Sequence, residues 1–283
     1  MSDEAEPSEL LLKEYLSSKT NRKKDKRTFT EDVSRLLHSH ADPNTRNADG
    51  DTGLILACKL ENYELWELFI RFRADPLLDG SNKCTTLFLA AAIHSIEMDW
   101  FSEILGYFTA DVDVRTEHGL TPLHGIFNSR PPNPLKCKAL LEHGADPNAS
   151  QCCQFRPLHL ASMHNREAQL VIMLLEYGAE PNVYNYESKS PLFFAIQDRS
   201  VAACQILLEY GAIVDAKLFE MALASQNPHI ARILEDWESE RDMEVAFNML
   251  SHKRLSSARY LPPELTRMIS EPRRPYRRLA NTL

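Results

Sequence analysis

One nine-residue phrase returns along this chain at a nearly constant interval. Residues 140–148 read LLEHGADPN, and residues 174–182 read LLEYGAEPN. Weaker copies place an equivalent residue at intervals of 33, 36, 35, 34 and 33 residues, at Asp42, Asp75, Asp111, Asp146, Glu180 and Ile213. Such a repeat constrains the fold more than any single residue does, because each copy is one structural unit that is stable only when stacked on its neighbours.

A second motif occurs in two of the repeats, where it precedes the second apolar run. It reads Thr-Pro-Leu-His at Thr121–His124 and Pro-Leu-His-Leu-Ala at Pro157–Ala161. Together with the period, this motif resembles the ankyrin repeat. The resemblance implies an all-α solenoid in which each unit has a projecting turn, an inner helix and an outer helix. It also implies that His124 and His159 link neighbouring turns and have no catalytic role.

The repeat predicts a solenoid of about six to seven helix-turn-helix units, followed by a short helical C-terminal tail. The chain then divides into five parts. They are a disordered N-terminus (1–7), a degenerate capping repeat with a basic loop (8–47), five ankyrin repeats (48–217), a shortened closing repeat (218–237) and a helical, basic tail (238–283).

Residue types also predict how each unit is built. Small residues on the inner helices, such as Ala57 and Ala161, would let adjacent units approach closely. Gly144 and its equivalents in the next two units follow the last outer turn, where a left-handed residue ends a helix at low steric cost. The first three units lack this glycine, so we expect looser or locally rearranged helix ends there.

Two units are longer than the period requires. The first insertion lies around residues 94–100, and the second, at residues 128–134, contains three prolines that favour an extended segment. Both follow inner helices of neighbouring units, so we expect them to lie side by side.

Composition limits the class of protein. A formal charge of −8 argues against direct nucleic-acid binding, and no apolar run approaches the ~20 residues of a membrane span. The acidic start and the six cysteines without a Cys-x-x-Cys pair indicate a cytoplasmic protein without a metal site or cofactor. Basic runs at residues 22–27 and 273–278 leave nuclear import as an alternative.

Function is expected to lie in protein binding, because the chain carries no nucleophile triad, phosphate loop or metal-binding helix motif. Ankyrin proteins bind partners through the turn tips and the concave ends of the inner helices. By the repeat, these positions hold Leu120, Phe155, Tyr186, His118, Asn128, Met163 and His164. Phe155 is the principal candidate, and the alternative is that the apolar tip residues pack on the neighbouring turn.

The tail contains a separate motif. The phrase Leu-Pro-Pro-Glu-Leu at residues 261–265, with Ile269, resembles the opening of an F-box and, less closely, the second half of a SOCS box. The resemblance implies that an apolar face recruits a ubiquitin-ligase adaptor, through Leu261, Pro262, Leu265 and Ile269. A helix that caps the open end of the stack is the alternative.

Three asparagines share one place in the repeat, two residues after its acidic position, and they are Asn44, Asn148 and Asn182. Their spacing resembles that of ankyrin asparagines that are hydroxylated by a cellular dioxygenase.

Taken together, the repeat and the missing catalytic motifs predict a non-catalytic scaffold that binds a protein partner. The alternatives are a substrate receptor of a cullin-type ubiquitin ligase and a nuclear transcription cofactor.

Overall fold

The computed structural model describes residues 7–18, 25–163, 168–225 and 227–237. The chain divides into two compact units, Met1–Leu234 and Glu235–Leu283, and the fold described below is that of the first. Within the described ranges every regular element is a helix, which confirms the all-α prediction.

The first two helices form an antiparallel pair. Helix α1 (Pro7–Ser17) and helix α2 (Lys26–His38) bury Leu12, Leu16 and Phe29 between them. The Tyr15 hydroxyl donates a 2.6 Å hydrogen bond to Asp32 across the pair. This pair lies within the range predicted for the degenerate capping repeat, residues 8–47.

Five inner and outer helix pairs follow. The bounds are α3 (Gly53–Lys59) with α4 (Tyr63–Arg71), α5 (Thr86–Ala92) with α6 (Met98–Tyr107), α7 (Pro122–Ile126) with α8 (Pro134–Glu142), α9 (Pro157–Ser162) with α10 (Ala168–Glu176), and α11 (Pro191–Gln197) with α12 (Val201–Glu209). A 3-10 turn, Ser81–Lys83, precedes α5. Helix α13 (Ala216–Ala224) and helix α14 (228–237) complete the described part.

Hydroxyl, amide and carboxylate caps set the starts of many helices. Thr52, Thr85 and Ser190 each accept a hydrogen bond at Oγ from the amide three residues later, at 3.3–3.4 Å. These bonds satisfy amides that have no partner within the first turn of a helix. Proline occupies the first position of α7, α9 and α11, where its missing N–H costs nothing.

Small residues allow the close packing of neighbouring helices. The inner-helix alanines Ala57 and Ala161 are buried, as expected, and Gly53 in α3 lies directly against the ring of Phe69 in α4. A Cβ atom at residue 53 would lie 2.0 Å from that ring, so the α3–α4 pair requires glycine at this position.

The outer helices α2, α4, α8, α10 and α12 end in the same left-handed conformation with or without glycine, whereas none of residues 108–111 after α6 has a positive φ. Gly144, Gly178 and Gly211 have φ values of 86°, 90° and 85°, and His40 and Arg73 have 66° and 62°. The prediction of looser ends is therefore wrong for α2 and α4. The intact helix stop there imposes the left-handed conformation on residues that disfavour it.

Lys136 links the helices beside the two insertions. It lies in the first turn of α8, shortly after the second insertion, and its side chain is fully buried. Its Nζ donates to the carbonyl oxygens of Ala90 (2.8 Å) and Ile93 (2.7 Å), at the end of α5 where the first insertion begins. The buried amine therefore joins α8 to the end of α5, and the placement of the two insertions side by side stays a prediction.

Candidate protein-interaction surface

The projecting turns share one backbone geometry. In each of five segments the first amide donates to the carbonyl of the fifth residue, at 2.7–3.1 Å. We call these segments the tip row, and they span residues 47–51, 80–84, 116–120, 151–155 and 185–189. The fourth residue of each tip has positive φ, a conformation supplied by glycine at Gly50 and Gly119 but by Gln154 and Ser188 in later tips.

Backbone hydrogen bonds join the last four tips to one another. The Glu117 amide donates to the Asn82 carbonyl at 2.8 Å, and the Cys152 amide donates to the His118 carbonyl at 3.1 Å. The Tyr186 amide donates to the Cys153 carbonyl at 3.4 Å. Each bond runs from the second residue of one tip to the third residue of the tip before it, so these tips form a continuous ladder.

The first two tips are joined instead by a buried carboxylate. Asp51 is 2% exposed and accepts hydrogen bonds from the Ser81 amide (3.0 Å), the Ser81 hydroxyl (2.8 Å) and Lys59 Nζ (2.6 Å). Burial by itself raises the pKa of Asp51, but these three donors and the Lys59 charge outweigh it and lower the pKa overall. The carboxylate is therefore ionised at neutral pH.

Two histidines fix the later tips. His124 Nδ1 accepts from the Thr121 amide (3.2 Å), and its Nε2 lies 3.1 Å from the Phe155 carbonyl of the next tip. His159 repeats the arrangement with Arg156 and Lys189. These bonds confirm that both histidines link neighbouring turns. Burial lowers the pKa of each to about 4, so both rings are neutral at pH 7.

Phe155 packs on its neighbours as well as facing outward. Its half-buried ring lies 5.6 Å from the His159 ring and 5.5 Å from the Phe194 ring, measured between centroids. This contact supports the alternative in which an apolar tip residue packs on the adjacent unit. Leu120 has the same position in its tip and is also half-buried.

The other predicted contact residues are distributed over the tips and the inner-helix ends. His118 and Tyr186 are exposed and lie on either side of the 151–155 tip, whereas Asn128 and Met163 are exposed at the ends of α7 and α9. Tyr186 is the second residue of its tip and Leu120 the fifth of another, so the apolar candidates do not form one line. His164 lies outside the described residues.

Tyr184 belongs to the same surface, although sequence reasoning did not select it. It is 49% exposed and Tyr186 is 68% exposed, while Asn185 between them is buried. The Asn185 Oδ1 accepts from the amides of Glu187 and Lys189, which fixes the tip between the two tyrosines. The Tyr-Asn-Tyr alternation was the available signal, because residues two apart in an extended segment face the same side.

The three asparagines proposed for hydroxylation have a structural role in common. Asn148 Oδ1 accepts from the Glu180 amide (2.9 Å), and its Nδ2 donates to the Gly178 carbonyl (2.8 Å). Asn182 makes the same pair of bonds to the following unit, and Asn44 Oδ1 accepts from the Asp75 amide. Asp113 replaces asparagine in one unit and accepts from the Asp146 amide with a carboxylate oxygen.

The adaptor-binding candidates Leu261, Pro262, Leu265 and Ile269 lie outside the described residues. Within the described part, no cluster of three or more histidine, cysteine, aspartate or glutamate side chains could hold a metal ion. None of the helices described is both long enough and apolar enough to cross a membrane.

Comparison with known proteins identifies the repeat. The family model "Ankyrin repeats (3 copies)" matches residues 92–185 and 132–218. Residues 92–218 are ankyrin repeats. Ankyrin repeats are in general protein-interaction modules without catalytic activity. The matched range contains three of the four tips of the backbone ladder, all but the 80–84 tip. It also contains both histidine links.

Curated relatives share the repeats over small parts of much longer chains. The transient receptor potential channel pyrexia of Drosophila melanogaster is 31% identical over 48% of this chain, and the match covers 14% of that channel. Protein glp-1 of Caenorhabditis elegans is 22% identical over 78% of this chain and 18% of its own length. Inversin of Canis lupus familiaris is 27% identical, over 62% and 16%. The chain therefore spans only 14–18% of these relatives.

Proposed function

We propose that this protein is a non-catalytic scaffold that binds a protein partner through the tip row and the concave ends of the inner helices. The observation that carries the proposal is the pair of exposed tyrosines, Tyr184 and Tyr186, on a tip with a fixed backbone. Tyrosine supplies a large amphipathic contact area and loses little conformational entropy on binding, so it is enriched among residues that dominate binding energy.

The surroundings of the tyrosines favour a partner with both apolar and polar groups. Met163 is 42% exposed at the end of α9, one unit before the tyrosine tip. Charged groups of the same two units are paired: Lys189 Nζ lies 2.6 Å from Glu187, and Arg156 lies 3.0 Å from Glu180. Because these charges are paired within the surface, the tyrosines and Met163 would supply most of the affinity, and the charged rim would set specificity.

The test compares tyrosines at two edges of the repeats. Tyr186→Ala removes a ring from the 185–189 tip and Tyr184→Ala removes one directly before it, whereas Tyr210→Ala removes a ring of 41% exposure at the end of the outer helix α12. Partners are first recovered by affinity capture and mass spectrometry, and their Kd values are then measured by calorimetry. We expect Tyr186→Ala to weaken binding at least tenfold and Tyr210→Ala to leave it unchanged.

The proposal is wrong if Tyr184→Ala and Tyr186→Ala both retain full affinity while keeping the wild-type melting temperature. Phe155→Ala serves as a separate comparison, because its ring contacts Phe194 and His159. We expect that variant to lose about 1–2 kcal/mol of stability together with some affinity. An unchanged melting temperature with lost affinity would instead make Phe155 a direct partner contact.

The ligase-receptor alternative depends on residues outside the described part. A chain that ends at Ser257 lacks Leu261, Pro262, Leu265 and Ile269 but keeps the tip row. Recovery of cullin-ligase subunits by the full chain alone would favour the adaptor role of the tail. Equal recovery of partners by both chains, without such subunits, would favour a scaffold whose tail caps the stack.

A further inference from the structure

Two adjacent thiols occupy the centre of the 151–155 tip. Cys152 and Cys153 are both exposed, and their Sγ atoms lie 3.8 Å apart. The other four cysteines are less accessible: Cys58, Cys137 and Cys204 are buried, and Cys84 is half-buried. Burial raises the pKa of Cys84 to about 11 and that of Cys137 and Cys204 to about 12, so these thiols are unreactive.

We propose that Cys152 and Cys153 form an oxidation site at which a peroxide closes a disulfide between these two adjacent residues. Thiols that sense oxidants are solvent-accessible and lie next to a second thiol that resolves the first oxidation product. Among the six cysteines of the chain, only this pair meets both conditions.

The reaction has two steps. The Cys152 thiolate attacks one oxygen of hydrogen peroxide, the O–O bond breaks, and a sulfenic acid and hydroxide form. The Cys153 sulfur then attacks the Cys152 sulfur, the S–O bond breaks, and the hydroxide that leaves takes up the Cys153 proton as water. In total, two thiols lose two hydrogens and two electrons to one peroxide, which becomes two water molecules.

Titration of Cys153 gives the second step a pH dependence. In the reduced tip a hydrogen bond with the Cys152 sulfur, more than any other contact, raises the pKa of the Cys153 thiol. Cys153 therefore enters the reaction as a thiol at neutral pH, and because the thiolate is the attacking form, ring closure becomes faster as the pH rises.

Ring closure requires a change in the backbone of the tip. The Cys152–Cys153 peptide bond is trans, so their Cα atoms are about 3.8 Å apart, whereas disulfides join Cα atoms at about 4.4–6.8 Å. A disulfide closed at this position is consequently strained and easily reduced, which makes the modification reversible.

The backbone groups that must move are those that join the tips. The Cys152 amide is bonded to His118, and the Cys153 carbonyl accepts from Tyr186. Oxidation would thus disturb the ladder at the residues on either side of the tip. The further consequence, weaker partner binding through His118 and Tyr186, rests on the proposed function.

The test treats the full chain with hydrogen peroxide and maps its peptides by mass spectrometry. We expect the peptide that holds residues 152 and 153 to lose two hydrogens, and dithiothreitol to restore them. In Cys153→Ser, a sulfenic acid at Cys152 should be trapped by dimedone. Cys84→Ser is the matched control and should behave as the wild type. Hydrogen exchange at the Cys152 and Tyr186 amides should accelerate at least tenfold on oxidation.

Several results would overturn the proposal. These are disulfide-linked dimers in place of the intramolecular product, sulfinic acid without a disulfide, or a reaction no faster than that of Cys84. If the disulfide forms but the affinity of a Tyr186-dependent partner is unchanged, the oxidation site stands and its link to binding is wrong. If no disulfide forms, the oxidation site fails, and the tyrosine variants still decide the proposed function.

Discussion

The first two tips and the last three have the same backbone turn but are connected by different chemistry. Between residues 47–51 and 80–84 the connection is an ionised carboxylate with a lysine and a serine. Between the later tips it consists of neutral imidazoles and backbone amides. A repeat fold therefore specifies the positions that must be bonded and leaves open which groups make the bonds.

The difference follows the family match. The model of three ankyrin repeats begins at residue 92, after the carboxylate connection, and includes both histidines. Where the Thr-Pro-Leu-His motif is absent, the Asp51 carboxylate accepts from the Ser81 amide, the same tip position whose amide donates to a backbone carbonyl in the ladder. The two regions should consequently respond differently to substitution, pH and salt.

Removal of the carboxylate should have the largest effect. Asp51→Ala leaves the Ser81 amide without its acceptor and Lys59 without its buried counter-ion, so we expect a loss of about 3 kcal/mol in the free energy of unfolding. Asp51→Asn keeps one acceptor oxygen and should lose less. Urea denaturation of the three chains measures both values, and equal losses for the two variants would show that the charge decides the bond.

Acid should weaken the later tips first. The pKa of His124 and His159 is about 4 in the folded chain and near 6.5 when unfolded, so the unfolded state binds more protons between these values. Stability should fall as the pH drops from 7 to 5, by about 1–2 kcal/mol for each histidine. The Asp51 connection should persist there, because its pKa is lowered and its contribution is lost only in stronger acid.

The control for this prediction is the double variant His124→Gln with His159→Gln. Its free energy of unfolding should depend less on pH between 7 and 5 than that of the wild type. Parallel pH profiles for the two chains would contradict a neutral, buried state of the histidines.

The helix ends allow a comparison with a smaller expected effect, in which only the backbone conformation of the substituted residue matters. Gly144→Ala adds a Cβ where nothing lies within 4 Å, so its cost of about 1 kcal/mol would come from the left-handed backbone alone. Arg73→Gly makes the opposite change at an exposed residue with φ of 62° and should gain stability of similar size. Thermal melts of the two variants should shift in opposite directions, and a destabilised Arg73→Gly would refute strain at that residue.

Salt should produce the smallest difference. Arg46 donates to the Gly50 carbonyl and pairs with the Asp79 carboxylate, whereas Arg115 donates only to the carbonyls of Gly119 and Ser150. Arg46→Gln should cost about 0.5 kcal/mol at low salt and less at 1 M salt, because exposed ion pairs are weak and screened. The stability cost of Arg115→Gln should depend little on salt. An equal salt dependence for the two variants would contradict a difference between the two arginines.

The sequence predicted those features that a local motif encodes. The helix pairs, the buried alanines, the left-handed glycines and the two histidine links follow from residues at fixed places in the repeat. The bonds of Asp51 with Lys59 and Ser81 escaped prediction because these residues lie 8 and 30 positions from Asp51 and belong to no motif. The left-handed His40 and Arg73 were missed because the helix stop overrides residue preference there.

The candidate site was only partly predictable for the same reason. Positions on the tips follow from the period, but exposure depends on the neighbouring unit. Phe155 and Tyr186 looked equivalent as apolar tip residues, yet Phe194 covers part of the Phe155 ring while Tyr186 stays exposed. The exposed Tyr184 depends on the buried Asn185, whose hydrogen bonds the period alone does not show.

The buried amine of Lys136 also provides a chemical probe of local opening between two neighbouring repeats. Since Nζ is enclosed by the carbonyls of Ala90 and Ile93, an amine-reactive reagent can reach it only when α8 separates from α5. Exposed lysines such as Lys138 on the same helix would react at once. The ratio of the labelling rate of Lys136 to that of Lys138 therefore measures how frequently α8 separates from α5.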